Sequence, residues 1–172
     1  MKAHKWVIFC FASLIVIQTL SAEAAKISRT IISSRIMKYT ESEFGRDATR
    51  RVLLWRELIE KNKGKPIAEK LALTNKFINR IPIKSETEIW GHVQWSTPYE
   101  MLARNAGSHA DHAIAKYVTL EALGVPIQNM QITHVHSAAT LDDLYMVLTY
   151  SSNSKDMPLI LDTINSEIKP GN

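Results

Sequence analysis

The chain has 172 residues, 45% of them hydrophobic, with 21 Lys and Arg against 17 Asp and Glu for a formal charge of +4. That length accommodates one domain with a proper core. The positive excess is small and scattered, with no basic run interleaved with aromatics, which argues against nucleic-acid binding.

The first 25 residues stand apart. Lys2 and Lys5 make a basic start, Trp6 to Leu20 is an uncharged apolar run of 15 residues, and Ala22 and Ala24 occupy the small positions that a signal peptidase requires. This is the pattern of a secretory signal, shorter than a membrane span needs. We expect cleavage after Ala24, with an uncleaved N-terminal anchor as the alternative, and one domain over residues 25–172. Cys10 is the only cysteine and lies inside the apolar run, preceded by Val7, Ile8 and Phe9 rather than by the small residues of a lipoprotein site. The mature chain therefore has no disulfide, thiolate ligand or cysteine nucleophile. Removing Lys2, Lys5 and Glu23 from the 21 basic and 17 acidic residues leaves 19 against 16, a charge of +3.

From Ile32 to Ile81 the pattern is helical: Val52, Leu53, Trp55, Leu58 and Ile59 recur at three- and four-residue steps, as do Leu71, Leu73, Phe77 and Ile78. Lys61 to Pro66 reads as a turn with Pro66 at a helix start. Arg50, Arg51, Lys61, Lys63 and Lys65 read as a solvated face. Thr97-Pro98-Tyr99-Glu100 combines an N-cap, a first-turn proline and a capping box, predicting a short helix that ends by Gly107. A second helix is predicted from His109 or Ala110 to Leu123, stopped by Gly124 and Pro126.

Beyond Pro126 the period changes. IQNMQITHV, LYMVLTY and PLILD are short, rich in β-branched and aromatic residues, and separated by polar turns. Leu144, Met146, Leu148 and Tyr150 would share one strand face, and Tyr145, Val147 and Thr149 the other. Helices followed by an antiparallel meander make an α+β domain.

A helix N-terminus followed by strands is the layout that a papain-like or transglutaminase-like hydrolase uses, with a nucleophile at the helix start and a base and carboxylate on neighbouring strands. From about Arg51 to Pro170 the sequence resembles the bacterial transglutaminase-like cysteine proteinases, the periplasmic LapG-type proteases. The resemblance rests on LTNKFIN, IWGHVQWSTPYEML, GSHADHAIAKY, ALGVP, YMVLTY and PLILD, in the family's order and spacing. Where family members read G-D-C-E-D-(F/Y)-A-I-A-K-Y, seven of eleven positions match here: Gly107, Asp111, Ala113, Ile114, Ala115, Lys116 and Tyr117. The resemblance implies a transglutaminase/papain-like fold with a helical N-terminal half, and a periplasmic location. It also implies protein partners: relatives cleave the N-terminal region of surface adhesins and are held by a membrane receptor that senses cyclic-di-GMP.

The departures fall on the chemistry. By that resemblance His109 stands at the nucleophilic cysteine, Tyr145 at the general-base histidine and Asp162 at the triad aspartate, followed by Thr163 in place of asparagine. Ser108 and Ala110 replace acidic residues associated with calcium, leaving Asp111 as the remnant of that site. An imidazole at His109 forms no acyl intermediate comparable to a thioester, and a helix N-terminus disfavours its cation. A tyrosine with an ordinary pKa of about 10 is a poor base at neutral pH. One carboxylate falls short of the roughly six to eight oxygens that calcium takes. Ser108 as a substitute nucleophile is one residue out of register and has no evident base. The expectation is a catalytically inactive relative that acts by binding protein, with the calcium site lost and no stable membrane insertion after signal cleavage.

A different class of function is a histidine-rich metal-binding protein or metallo-hydrolase. His109 and His112 share a helix face, and His134 and His136 a strand face, so convergence of the two near Asp162 or Asp111 would make a zinc or copper site. His134 also reads simply as exposed, and His92 as a surface or loop residue. Trp55, Trp90 and Trp95 read as core by default, with Trp90 or Trp95 as candidates to line a groove.

Overall fold

A computed structural model describes residues 34–136, 144–153 and 156–171. The signal-peptide reading and Cys10 lie outside these residues. So does the start of the helical stretch predicted from Ile32.

The helical half begins with α1 (Ser34–Asn62), broken at Gly45, whose φ of 80° and ψ of −178° depart from helical values. Such a positive φ suits a residue without Cβ. Next come α2 (Ile67–Ile78), α3 (Glu86–Trp90), α4 (Pro98–Arg104) and α5 (His109–Ala122). Pro66 is the N-cap of α2, one position before the helical start expected. Thr97 and Glu100 form the capping box at α4 as predicted, with Pro98 in the first turn. Helix α3 was not anticipated, although its signal is in the sequence: Ser85 and Glu88 form a capping box of their own.

The sheet half runs β1 (Met130–His136), β2 (Leu144–Tyr150), β3 (Leu159–Leu161) and β4 (Lys169–Pro170), antiparallel and adjacent in chain order. β4 was not expected. Met130 pairs with Tyr150 and His136 with Leu144, while β3 meets β2 at Leu148↔Leu161. The domain is thus α+β, a helical first part followed by a four-stranded antiparallel sheet, as the sequence predicts. Residues Val147 to Tyr150 are all buried, so that half of β2 is covered on both faces.

Helix α5 is shared by two apolar clusters. Ala115 and Ala122 pack with Val52, Trp55 and Ile59 of α1 and with Met101 and Leu102 of α4. Leu120, with Leu123 just past the helix, packs on Leu71 of α2 and on Leu148 and Leu161 of the sheet. Trp55 is 1% exposed and its indole N–H donates to Thr119 Oγ1 at 2.8 Å. Its default core role holds.

The solvated-face reading fails for Arg51. Its Nε and Nη2 donate to the carbonyl oxygens of Leu102 (2.7 Å) and Ala103 (2.9 Å), tying α1 to the end of α4. Those last-turn carbonyls have no partner within their own helix, and a fork of guanidinium donors reaches two at once. Lys61 and Lys65 do sit at the surface, paired with Glu57 and Glu69 one turn away.

Candidate functional site

The loop before α5 places the site. Asn105 caps α4 in the left-handed conformation (φ 56°, ψ 41°) and turns the chain back. Gly107 bridges to Ile83, donating to Pro82 O at 3.2 Å and accepting from Lys84 N at 3.0 Å. A Cβ at Gly107 would come within 2.6 Å of Met101 Cγ, so the close passage of backbone over α4 requires glycine.

Ser108 is the N-cap of α5 and Asp111 completes its capping box. Asp111 is fully buried. Its Oδ2 accepts from Ser108 N at 2.9 Å and its Oδ1 from Ser96 N at 2.6 Å, so this one carboxylate ties the helix start to the loop after α3. A carboxylate in the first turn also meets the positive end of the helix dipole. Both oxygens are committed to amides, Ser108 and Ala110 supply no carboxylate, and no group of three His, Cys, Asp or Glu able to hold a metal occurs among the described residues.

His109 opens α5, half-buried, with Nδ1 sharing a hydrogen bond with Thr163 Oγ1 at 2.5 Å. Its ring centroid lies 4.8 Å from that of Tyr145, the planes tilted by 50°. Burial is the main influence holding the His109 pKa below the ordinary histidine value; His112 and Lys116 add to the shift and Asp162 opposes it. Tyr145 lies near the start of β2 and its phenol donates to Asp162 Oδ2 at 3.1 Å. Burial, then the Asp162 charge and that hydrogen bond, push the phenol up to about 12. Asp162 follows β3, and its other oxygen accepts from Ile164 N at 2.9 Å. The three positions identified from the sequence therefore meet in space. With its pKa raised this far, Tyr145 stays protonated at neutral pH and acts there as a hydrogen-bond donor to Asp162.

The four histidines do not converge. His112 is fully buried, with Nδ1 2.8 Å from Ser108 O and Nε2 3.0 Å from Ile81 O. Burial lowers its pKa, and the neutral ring thereby favoured donates to one of these two carbonyls. His134 is exposed and borders the cleft over His109. His136, also exposed, lies at the far end of β1. His92 sits at the surface with Nε2 3.0 Å from Gln94 Oε1.

The cleft above His109 has a volume of about 370 Å³ and is walled by Glu86, Val93, Trp95, His134, Tyr145 and Met146. Trp95 is 56% exposed and Val93 78%, so core packing does not account for Trp95. Trp90 stays below, its indole N–H donating to Ser96 Oγ at 3.1 Å and its ring under the Arg104 guanidinium at 4.1 Å. Glu86 was missed for want of α3. Thr163, by sequence only a replacement for asparagine, holds the His109 ring. Lys116, read as one matched motif position, is fully buried against the far side of the site.

No family model and no curated protein matches the chain. Solved structures do. Legionella pneumophila LapG is 33% identical over 79% of this chain and 75% of its own, with a TM-score of 0.68. Its calcium-bound form gives 0.69 at the same identity and coverage, and its EGTA-treated form 0.68 over 73% of that chain.

Proposed function

From the premise that the chain belongs to the LapG family of transglutaminase-like cysteine proteases, we propose that it is a non-catalytic member that works by binding a protein in the cleft over His109. The observation that carries this reading is the pairing of Tyr145 with Asp162. At the general-base position stands a phenol that donates to the aspartate and whose pKa is pushed up to about 12, opposite an imidazole where the family has its thiol. Meanwhile the cleft stays open and presents Trp95 and Val93 to solvent, the kind of aromatic and apolar wall on which interfaces anchor.

The partner is a periplasmic receptor domain of the kind that holds LapG-type proteases, or the N-terminal region of a surface adhesin that they cleave. Occupying either would compete with an active relative. The reading includes a periplasmic location after export. Among the described residues no helix is long and apolar enough to cross a membrane. It also includes independence from calcium, because Asp111 is engaged by amides.

The test is direct binding of the purified protein to a family receptor's periplasmic domain and to an adhesin N-terminal fragment, with cleavage of the fragment followed in parallel. Saturable binding to one of them without cleavage is expected. Binding to neither, or cleavage abolished by His109→Ala, would overturn the reading.

A further inference from the structure

Helix α5 turns three titratable side chains toward the site, His109, His112 and Lys116, at positions i, i+3 and i+7 of one face. Lys116 is the farthest of the three from the helix start. It is fully buried, and its Nζ donates to the carbonyl oxygens of Leu161 at 2.9 Å and Asp162 at 2.8 Å. Neither acceptor is charged. A buried amine whose hydrogen-bond acceptors are main-chain carbonyls is a poor way to fill a core, since it loses hydration and an apolar side chain of the same length would pack at less cost. What an apolar residue would not provide is direction.

The acceptors lie where the sheet runs out. β3 is three residues long and its last rung with β2 is Leu148↔Leu161, so Asp162 is the first residue beyond the ladder. Its carbonyl oxygen has no strand partner there and instead receives two side chains from different helices: Lys116 Nζ from α5 and Asn79 Nδ2 from the end of α2, the latter at 2.9 Å. On the other side of the same residue, the carboxylate holds Ile164 N and the Tyr145 phenol. We infer that Lys116 is a positioning residue of this site: with Asn79 it clamps the main-chain carbonyl of Asp162, and so aims the Asp162 carboxylate at Tyr145. Lys116 touches neither Tyr145 nor the cleft and acts through Asp162. The clamp operates whether or not the cleft holds a partner.

The hydrogen bond from phenol to carboxylate is readable by NMR as the Tyr145 Cζ resonance in protein carrying ¹³C at tyrosine Cζ, assigned with Tyr145→Phe. Asp162→Ala supplies the resonance position for the broken bond. Lys116→Met is expected to fold, to leave the other tyrosine resonances in place, and to move the Tyr145 resonance to the Asp162→Ala position. Asn79→Ala, which removes the second donor at a partly exposed residue, is expected to move it part of the way. A folded Lys116→Met with the Tyr145 resonance at its wild-type position would overturn the inference, because a residue that only fills space leaves that bond intact. Should Lys116→Met not fold, an unmoved resonance in Asn79→Ala overturns it instead.

Discussion

The first turn of α5 and its last two turns belong to one helix and are held in different ways. At the back, Ala115, Leu120 and Ala122 are fixed by volume: they lie between α1 and α4 on one side and α2 and the sheet on the other, at 0% to 4% exposure. At the front, Ser108, His109, Asp111 and His112 are fixed by polar pairing, each bonded to a backbone group or to Thr163. Close packing tolerates few alternatives of shape. Polar pairing asks only that donors and acceptors be matched, and more than one set of residues can do that. A helix can therefore retain the LapG scaffold at its back while its front carries a different set of groups.

That contrast is open to direct test. Trp55→Ala at the packed end should cost about 4 kcal/mol, from the lost ring and the lost hydrogen bond to Thr119, and denaturant unfolding would show it. Asp111→Ala at the front should cost about 3 kcal/mol by leaving the buried amides of Ser96 and Ser108 unpaired and removing a cap. A loss no greater than that of a surface substitution would mean the front is not organised by this carboxylate.

The dependence on pH sharpens the same comparison. Burial lowers the pKa of Lys116 from its ordinary 10.5 to about 7. The unfolded chain thus binds this proton more tightly, and stability should rise with pH between about 7 and 10, by roughly 3 kcal/mol. Urea midpoints across that range would reveal it, and Lys116→Met should flatten the curve. The lowered pKa values of His109 and His112 have the same sign, so stability should also fall as pH drops below about 6.5. Trp95→Ala should change stability by less than about 0.5 kcal/mol yet weaken partner binding by roughly tenfold or more, measured by titration calorimetry. Smallest of all, EGTA or added calcium should leave the melting temperature unmoved.

Much of this was legible along the chain. The three-four spacing at Val52, Trp55 and Ile59, the Thr97–Glu100 capping box and the β-branched runs of β1 and β2 are local signals, and the elements they predicted are present. Locality was also the limit. Helix α3 and its Glu86 were overlooked although Ser85 and Glu88 spell a capping box, because five residues carry no apolar period. Arg51 looks solvated on a helical wheel and is not, since the carbonyls it meets are 51 and 52 residues away. Asp111 reads along the chain as the remnant of a calcium site, while its acceptor role depends on Ser96, 15 residues earlier in the chain.

The α+β class, the longer helices and strands, and the groups standing at His109, Tyr145 and Asp162 are legible in the chain, because propensity, capping and motif spacing are properties of neighbouring residues. What those groups do to one another depends on residues brought together from distant parts of the chain. That Tyr145 donates to Asp162 follows from the pairing of β2 with β3, and that His109 meets Thr163 and Lys116 meets two carbonyls follows from α5 packing on the sheet. Burial and partners set the protonation of each group, and neither is written in the residue itself.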